Sequence, residues 1–152
     1  MAFRWIDMET FPRRAHFDYF SSLAYPYVGT TANVDITALL SKVKTEKLPF
    51  FLSACYCAAR AANCVPELRQ RIREGRIVEY DRCRVSHTVA LEDGTFCYCT
   101  LEDKPDFYAY LKEGRRAQEE AKRHASIEEN QEEALEKFFV SSLPWLSYTA
   151  LI

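Results

Sequence analysis

The sequence predicts an α+β fold, a mixed sheet covered by helices, in one domain spanning residues 1–152. Three observations lead there. Two β-prone runs flank Glu92-Asp93-Gly94, and an Asp-Gly pair between such runs is a strong hairpin signal. Before them, apolar residues recur at helical spacing in several separate stretches. Helix and strand then alternate irregularly, unlike the regular alternation of a doubly wound sheet.

In chain order, residues 12–23 predict a helix. Pro12 suits its first turn, and Phe17, Phe20 and Leu23 recur on one side. Residues 25–34 read as extended, opening with Pro26 and carrying Val28, Thr30 and Thr31. Asp35 is a good N-cap for a short helix reaching about Lys44, with Ile36, Leu39, Leu40 and Val43 on one face. Residues 49–63 are apolar nearly all round and predict a buried helix. Pro66 restarts a helix carrying Leu68, Arg69 and Ile72, and Glu74-Gly75 turns the chain into a strand over 76–80. Strands over 84–91 and 95–101 form the hairpin. Residues 105–136, rich in Glu, Lys, Arg and Ala, predict one or two solvated helices with Gly114 as a weak point. Residues 138–141 and 146–152 read as closing strands around Pro144-Trp145.

Bulk properties exclude several function classes. A net charge of −2 gives no electrostatic case for nucleic acid or an anionic membrane. No apolar run approaches the roughly 18 residues of a membrane span, and the N-terminus lacks a signal-peptide core. The cytoplasm is the expected compartment, so the six cysteines are expected to be reduced, buried thiols. Their two C-x-C pairs lack zinc-type spacing, so no metal is expected. Ten Phe and nine Tyr suggest a bulky core, a pocket for a flat ligand, or both.

Six short motifs follow one another along the chain. They are Phe11-Pro12-Arg13-Arg14-Ala15-His16-Phe17-Asp18-Tyr19-Phe20, then Val34-Asp35-Ile36-Thr37, then Asn63-x-x-Pro66-Glu67-Leu68-Arg69. Ile77-Val78-Glu79-Tyr80-Asp81 comes next, then Thr88-Val89 with Thr95-Phe96, and last Ser141-Ser142-Leu143-Pro144-Trp145. In that order and spacing they resemble the chloramphenicol acetyltransferase family across essentially the whole chain. Phe11 stands where the family pattern has Trp.

The resemblance implies a two-layer CoA-dependent acyltransferase fold and O-acetylation of a small-molecule hydroxyl acceptor by acetyl-CoA. It implies that Ser141 hydrogen-bonds the tetrahedral oxyanion and that Arg13 braces the site. By matching position, Tyr19, Phe20, Pro26, Val28, Thr88, Phe96, Tyr98 and Phe139 would line the acceptor pocket. Phe20 and Pro26 depart from the types expected of the best antibiotic inactivators, so chloramphenicol itself does not carry over as substrate. The resemblance also implies a trimer with active sites between subunits.

The family's general base lies in H-H-x-x-x-D-G. Of His16, His87 and His124, none is followed by Asp-Gly. His16 reads as a packed or capping residue, His124 as solvent-exposed, and His87 as a strand residue able to line the pocket. The expectation is therefore an N-terminal portion, incompetent without a separate C-terminal segment. The apolar run 146–152 would need such a segment, or an oligomer partner, as its strand neighbour. The alternative is a non-catalytic scaffold or binding protein that keeps the fold.

Overall fold

The computed structural model describes residues 1–146. It contains two three-stranded sheets and five α-helices among those residues. The expected single mixed sheet is thus divided in two, and the predicted strand over 146–152 lies almost wholly outside the described residues. Strand β1 (Phe3–Trp5) leads to helices α1 (Arg14–Ser21), α2 (Thr37–Glu46) and α3 (Phe50–Asn63). A 3-10 turn at Pro66–Arg69 precedes strands β2 (Gln70–Arg73), β3 (Arg76–Tyr80), β4 (Arg84–Ala90) and β5 (Phe96–Leu101). Helices α4 (Phe107–His124) and α5 (Gln131–Ala134) and strand β6 (Lys137–Val140) complete it.

The first sheet runs β1-β3-β2 and is antiparallel throughout. The helix expected after Pro66 stops after one 3-10 turn. Ile72 belongs instead to β2, facing Ile77 of β3 across a hairpin. Glu74 and Gly75 both have positive φ, 50° and 71°, the pair of left-handed residues that a tight two-residue hairpin turn needs. The strand pairing gained by residues 70–73 outweighs the local helical pattern.

The second sheet runs β5-β4-β6, with β4 antiparallel to β5 and parallel to β6. Its inner face meets α3 and α4. Leu52, Cys55 and Ala59 of α3 pack with Val85, Val89, Cys97, Cys99 and Leu101 of the sheet and with Tyr110 and Leu111 of α4. Helix α3 is therefore buried on one face only. Phe50, Cys57, Ala58 and Arg60 are exposed, because a two-layer stack leaves its outer helix face in water. The same geometry exposes Cys57 and Cys64, against the expectation of six buried thiols, while Cys55, Cys83, Cys97 and Cys99 are buried. Burial pushes the Cys55 thiol up to about 12 and that of Cys99 to about 11, so both behave as small apolar groups.

Two motif residues prove to be fasteners between the sheets. Asn63, at the end of α3, accepts from the Cys83 amide at 2.8 Å and donates to its carbonyl at 2.9 Å. Arg69 donates to the carbonyls of Tyr80 and Asp81 at 2.5 and 3.0 Å. Together they fix the passage from β3 to β4.

Residues 23–36 pair with no strand among the described residues, so the extended reading of 25–34 corresponds to no ladder. Pro26 and Val28 thus lie on an irregular arm. Asp35, expected as the N-cap of α2, lies one residue before it: Ile36 takes the cap position, and Asp35 closes the arm by accepting from the Thr37 amide at 2.9 Å. Helix α4 runs straight through Gly114, which is buried against Leu52 and Leu101 rather than breaking the helix.

Candidate active site

Strand alternation sorts β4 and its neighbours into two faces. Ser86, Thr88 and Ala90 share a face with Thr100, Tyr98 and Phe96 of β5, and with Phe139 of β6. Among the described residues that face carries no helix layer. Phe96, Tyr98 and Phe139 are consequently exposed although aromatic. Four of the expected acceptor residues, Thr88, Phe96, Tyr98 and Phe139, therefore line one side of one sheet. Phe96 and Tyr98 have ring centroids 5.8 Å apart.

The ladder between β4 and β6 ends at His87 opposite Val140. There the chain leaves the sheet, and Ser141 follows immediately. A cavity of about 220 Å³ opens at this margin, lined by Ser86, His87, Thr88, Tyr98, Phe139, Val140 and Ser141. Beside it lies a larger one of about 600 Å³, whose walls include Phe51, Thr88, Phe96, Gln118, Ser142 and Trp145. His87 and Thr88 belong to both.

The remaining expected residues lie elsewhere. Phe20 and Pro26 line a separate cavity of about 340 Å³ between α1 and the first sheet, with Phe17, Ile72 and Ile77. Arg13 stands at its edge, 3.3 Å from Glu67, and more than half of each side chain is exposed. Tyr19 is 62% and Val28 95% exposed, and neither lines a cavity with Ser141. His16 sits at the α1 cavity, exposed, and His124 is exposed in the last turn of α4.

His87 faces the helices. It is 3% exposed, packs 4.9 Å from the Phe51 ring, and lies 3.0 Å from Gln118 through its Nε2. Burial pushes its imidazole down to about 4, and the Cys99 backbone opposes that shift without satisfying Nδ1. Gln118 was not foreseen. Its signal is present in the sequence: it is the one polar residue in the α4 stripe Tyr110, Leu111, Gly114, Ala117, Gln118, Ala121.

The buried imidazole makes stability depend on pH. Above the ordinary histidine value of about 6.5, His87 is neutral folded and unfolded and contributes nothing. As pH falls from there toward 4, the unfolded chain gains a proton that the folded one refuses. Folding should weaken over that window, approaching about 3 kcal/mol at its acid end. The check is urea denaturation of the parent and of His87→Phe between pH 7 and 4. The stability difference between them should change by that amount in the stated direction.

With the geometry in place, comparison with known proteins decides the family. A family model described as chloramphenicol acetyltransferase matches residues 1–151. The chain belongs to that family. A chloramphenicol acetyltransferase of Klebsiella sp is 31% identical over 147 residues, covering 95% of this chain and 66% of the relative. Those of Proteus mirabilis and Clostridium perfringens are 27% and 26% identical, covering 95% and 98% of this chain and 67% and 69% of their own lengths. A solved chloramphenicol acetyltransferase superposes with a TM-score of 0.86 at 25% identity, over 99% of this chain and 74% of its own. The chain thus spans about two thirds of the length of the curated chloramphenicol acetyltransferases it matches.

Proposed function

We propose that this member of the chloramphenicol acetyltransferase family takes part in acetyl transfer from acetyl-CoA to a hydroxyl acceptor, and that residues 1–152 supply the acceptor side of the site. The observation carrying this reading is the position of Ser141. It leaves β6 at the mouth of a cavity walled by Thr88, Tyr98 and Phe139. There its hydroxyl can meet the oxyanion that forms on the acetyl carbonyl when an acceptor lying against the open sheet face attacks it.

In this reaction a general base removes the proton of the acceptor hydroxyl. The oxygen attacks the thioester carbonyl, and negative charge builds on the carbonyl oxygen of the tetrahedral intermediate. Ser141 donates to that oxygen. Collapse breaks the carbon–sulfur bond and releases CoA, whose sulfur takes up the proton held by the base.

None of the three histidines in these residues suits the base. His16 and His124 line neither cavity near Ser141, and His87 is too weak a base with its value near 4. We therefore assign the base to an H-H-x-x-x-D-G histidine outside these residues, on a further segment or a partner subunit. A trimer in the cytoplasm, with sites between subunits, is the assembly this reading calls for. The pairing of Arg13 with Glu67 favours the alternative of a non-catalytic scaffold, because that arginine braces a surface turn here.

The test follows CoA release from acetyl-CoA with a panel of alcohols that includes chloramphenicol. The 152-residue chain is assayed alone, and together with a separately expressed C-terminal third of a chloramphenicol acetyltransferase carrying H-H-x-x-x-D-G. Turnover is expected only in the mixture. Turnover by the chain alone would refute the external base. None in either would favour the scaffold.

A further inference from the structure

Lys137 opens β6 and is only 6% exposed, and an ammonium buried so deeply needs an anion beside it. Among the described residues its Nζ meets Glu129 Oε1 at 2.6 Å and Glu133 Oε2 at 3.8 Å. Both carboxylates belong to the connection between α4 and β6. That connection leaves α4 at Ala125, whose φ of 47° turns the chain. The Ser126 carbonyl then accepts from the Tyr98 amide at 3.0 Å, at the outer edge of β5. The chain re-enters the sheet as β6, on the other side of β4. Helices α3 and α4 fill the inner face, so residues 126–136 cross on the face that carries Tyr98 and Phe139. Lys137 shares that face, in register with Arg84 as Phe139 is with Ser86. The face is exposed at Thr88, Tyr98 and Phe139, yet closed at Ser86 and Lys137.

Little apolar packing holds this crossing segment. None of residues 126–133 is buried, and Ile127 among them is 63% exposed. Beyond it, Leu135 packs on Val78, Tyr80 and Cys83 of the first sheet and fixes that end. Between the two ends the anchors are ion pairs. Glu129 and Glu133 hold Lys137, and Glu132 lies 2.6 Å from Arg73 of β2. The pair with Arg73 is mostly in water on its acidic side and counts for little, while the largely buried Lys137–Glu129 pair is weakly screened. A segment with few buried apolar contacts opens more readily than the core beneath it.

We propose that residues 126–134 form a strap latched over the second sheet by Lys137, opening as a unit between Ala125 and Leu135. Opening extends the exposed face from Thr88 to Ser86 and Lys137 and brings the ammonium into water. The lower end of the face is therefore accessible and cationic only when the strap is open. The latch is independent of the acetyl-transfer reading.

The test is cleavage of the 152-residue chain by a glutamate-specific protease, with the products located by mass spectrometry. A protease needs an extended segment, so where opening and closing are fast the rate follows the open population. The site after Glu132 lies at least three positions from each substitution, and the site after Glu92, in the exposed turn between β4 and β5, monitors the sheet. In Lys137→Met the rate after Glu132 should rise by about ten- to a hundredfold, because the strap carboxylates lose their buried partner. The rate after Glu92 should stay near that of the parent. Glu129→Gln should act in the same direction but less, since Glu133 still faces the ammonium, and Arg73→Gln should change the rate least. An unchanged rate after Glu132 in Lys137→Met, or a rise matched after Glu92, overturns the proposal. If circular dichroism shows that Lys137→Met does not fold, Glu129→Gln is judged by the same two criteria. A larger effect from Arg73→Gln than from both other variants would place the latch on the first sheet and overturn its assignment to Lys137.

Discussion

Replacing Ser141 by alanine is expected to lower kcat for acetyl transfer by about 10²–10³-fold in the complemented protein, equivalent to about 2.7–4 kcal/mol of transition-state stabilisation. The expectation follows from when the proposed bond exists. The carbonyl oxygen of a thioester is a weak acceptor, while the oxyanion of the tetrahedral intermediate is a strong one. A donor waiting at the oxyanion's position acts on the transition state and hardly on the bound substrate. KM for acceptor and donor should therefore stay near the parent values while kcat and kcat/KM fall together.

Position makes the prediction specific. Ser142 is the next residue, but it lines the larger cavity with Phe51 and Trp145 rather than the one with Tyr98 and Phe139. Ser142→Ala should leave kcat close to the parent, and Ser141→Thr, which keeps a hydroxyl, should recover part of the loss. A rise in KM alone after Ser141→Ala would mean that the hydroxyl binds substrate and leaves the oxyanion untouched. Equal losses from Ser141→Ala and Ser142→Ala would mean that the turn, not the hydroxyl, matters.

The legibility of this chain follows the locality of each signal. The hairpin of β4 and β5 was readable because Asp93-Gly94 announces its turn and both flanks are β-prone; Gly94 has φ of 83°. The strand at 76–80 was readable to the residue. The segment at 70–73 was not, because Leu68, Arg69 and Ile72 carry helical spacing and only the partner β3 makes them a strand. The shared face of Thr88, Phe96, Tyr98 and Phe139 came from motif position, and strand alternation gives it a physical basis. Tyr19 and Val28 came from the same resemblance; they are exposed, on a helix and an arm, and are not among the residues lining the cavity at Ser141. Gln118 went unread because a single polar residue in a charged helix looks ordinary until the buried face of that helix is known.

Gly114 is the clearest instance of a residue whose meaning depends on its neighbours, and it sets up the largest expected effect on stability. Leu52 is 1% exposed at the centre of the main core. Leu52→Ala should cost about 2–5 kcal/mol, from lost transfer energy and a residual cavity between α3, α4 and the sheet. A methyl group on Gly114 would lie 3.1 Å from Leu52 Cδ2, 3.2 Å from Cδ1 and 3.6 Å from Leu101 Cδ2. In the parent, Gly114→Ala therefore sets about 1 kcal/mol of gained helix propensity against compression of the Leu52 methyls, leaving a small net change. In a Leu52→Ala background the compression is gone and the methyl enters the vacated space. There Gly114→Ala should stabilise by about 1 kcal/mol or more, giving a favourable coupling of about 0.5–1.5 kcal/mol in a double-mutant cycle. Urea denaturation of the four proteins measures it. Strictly additive changes would mean that α4 does not approach α3 through Gly114, and that the glycine is the helix weakness its isolated sequence suggests.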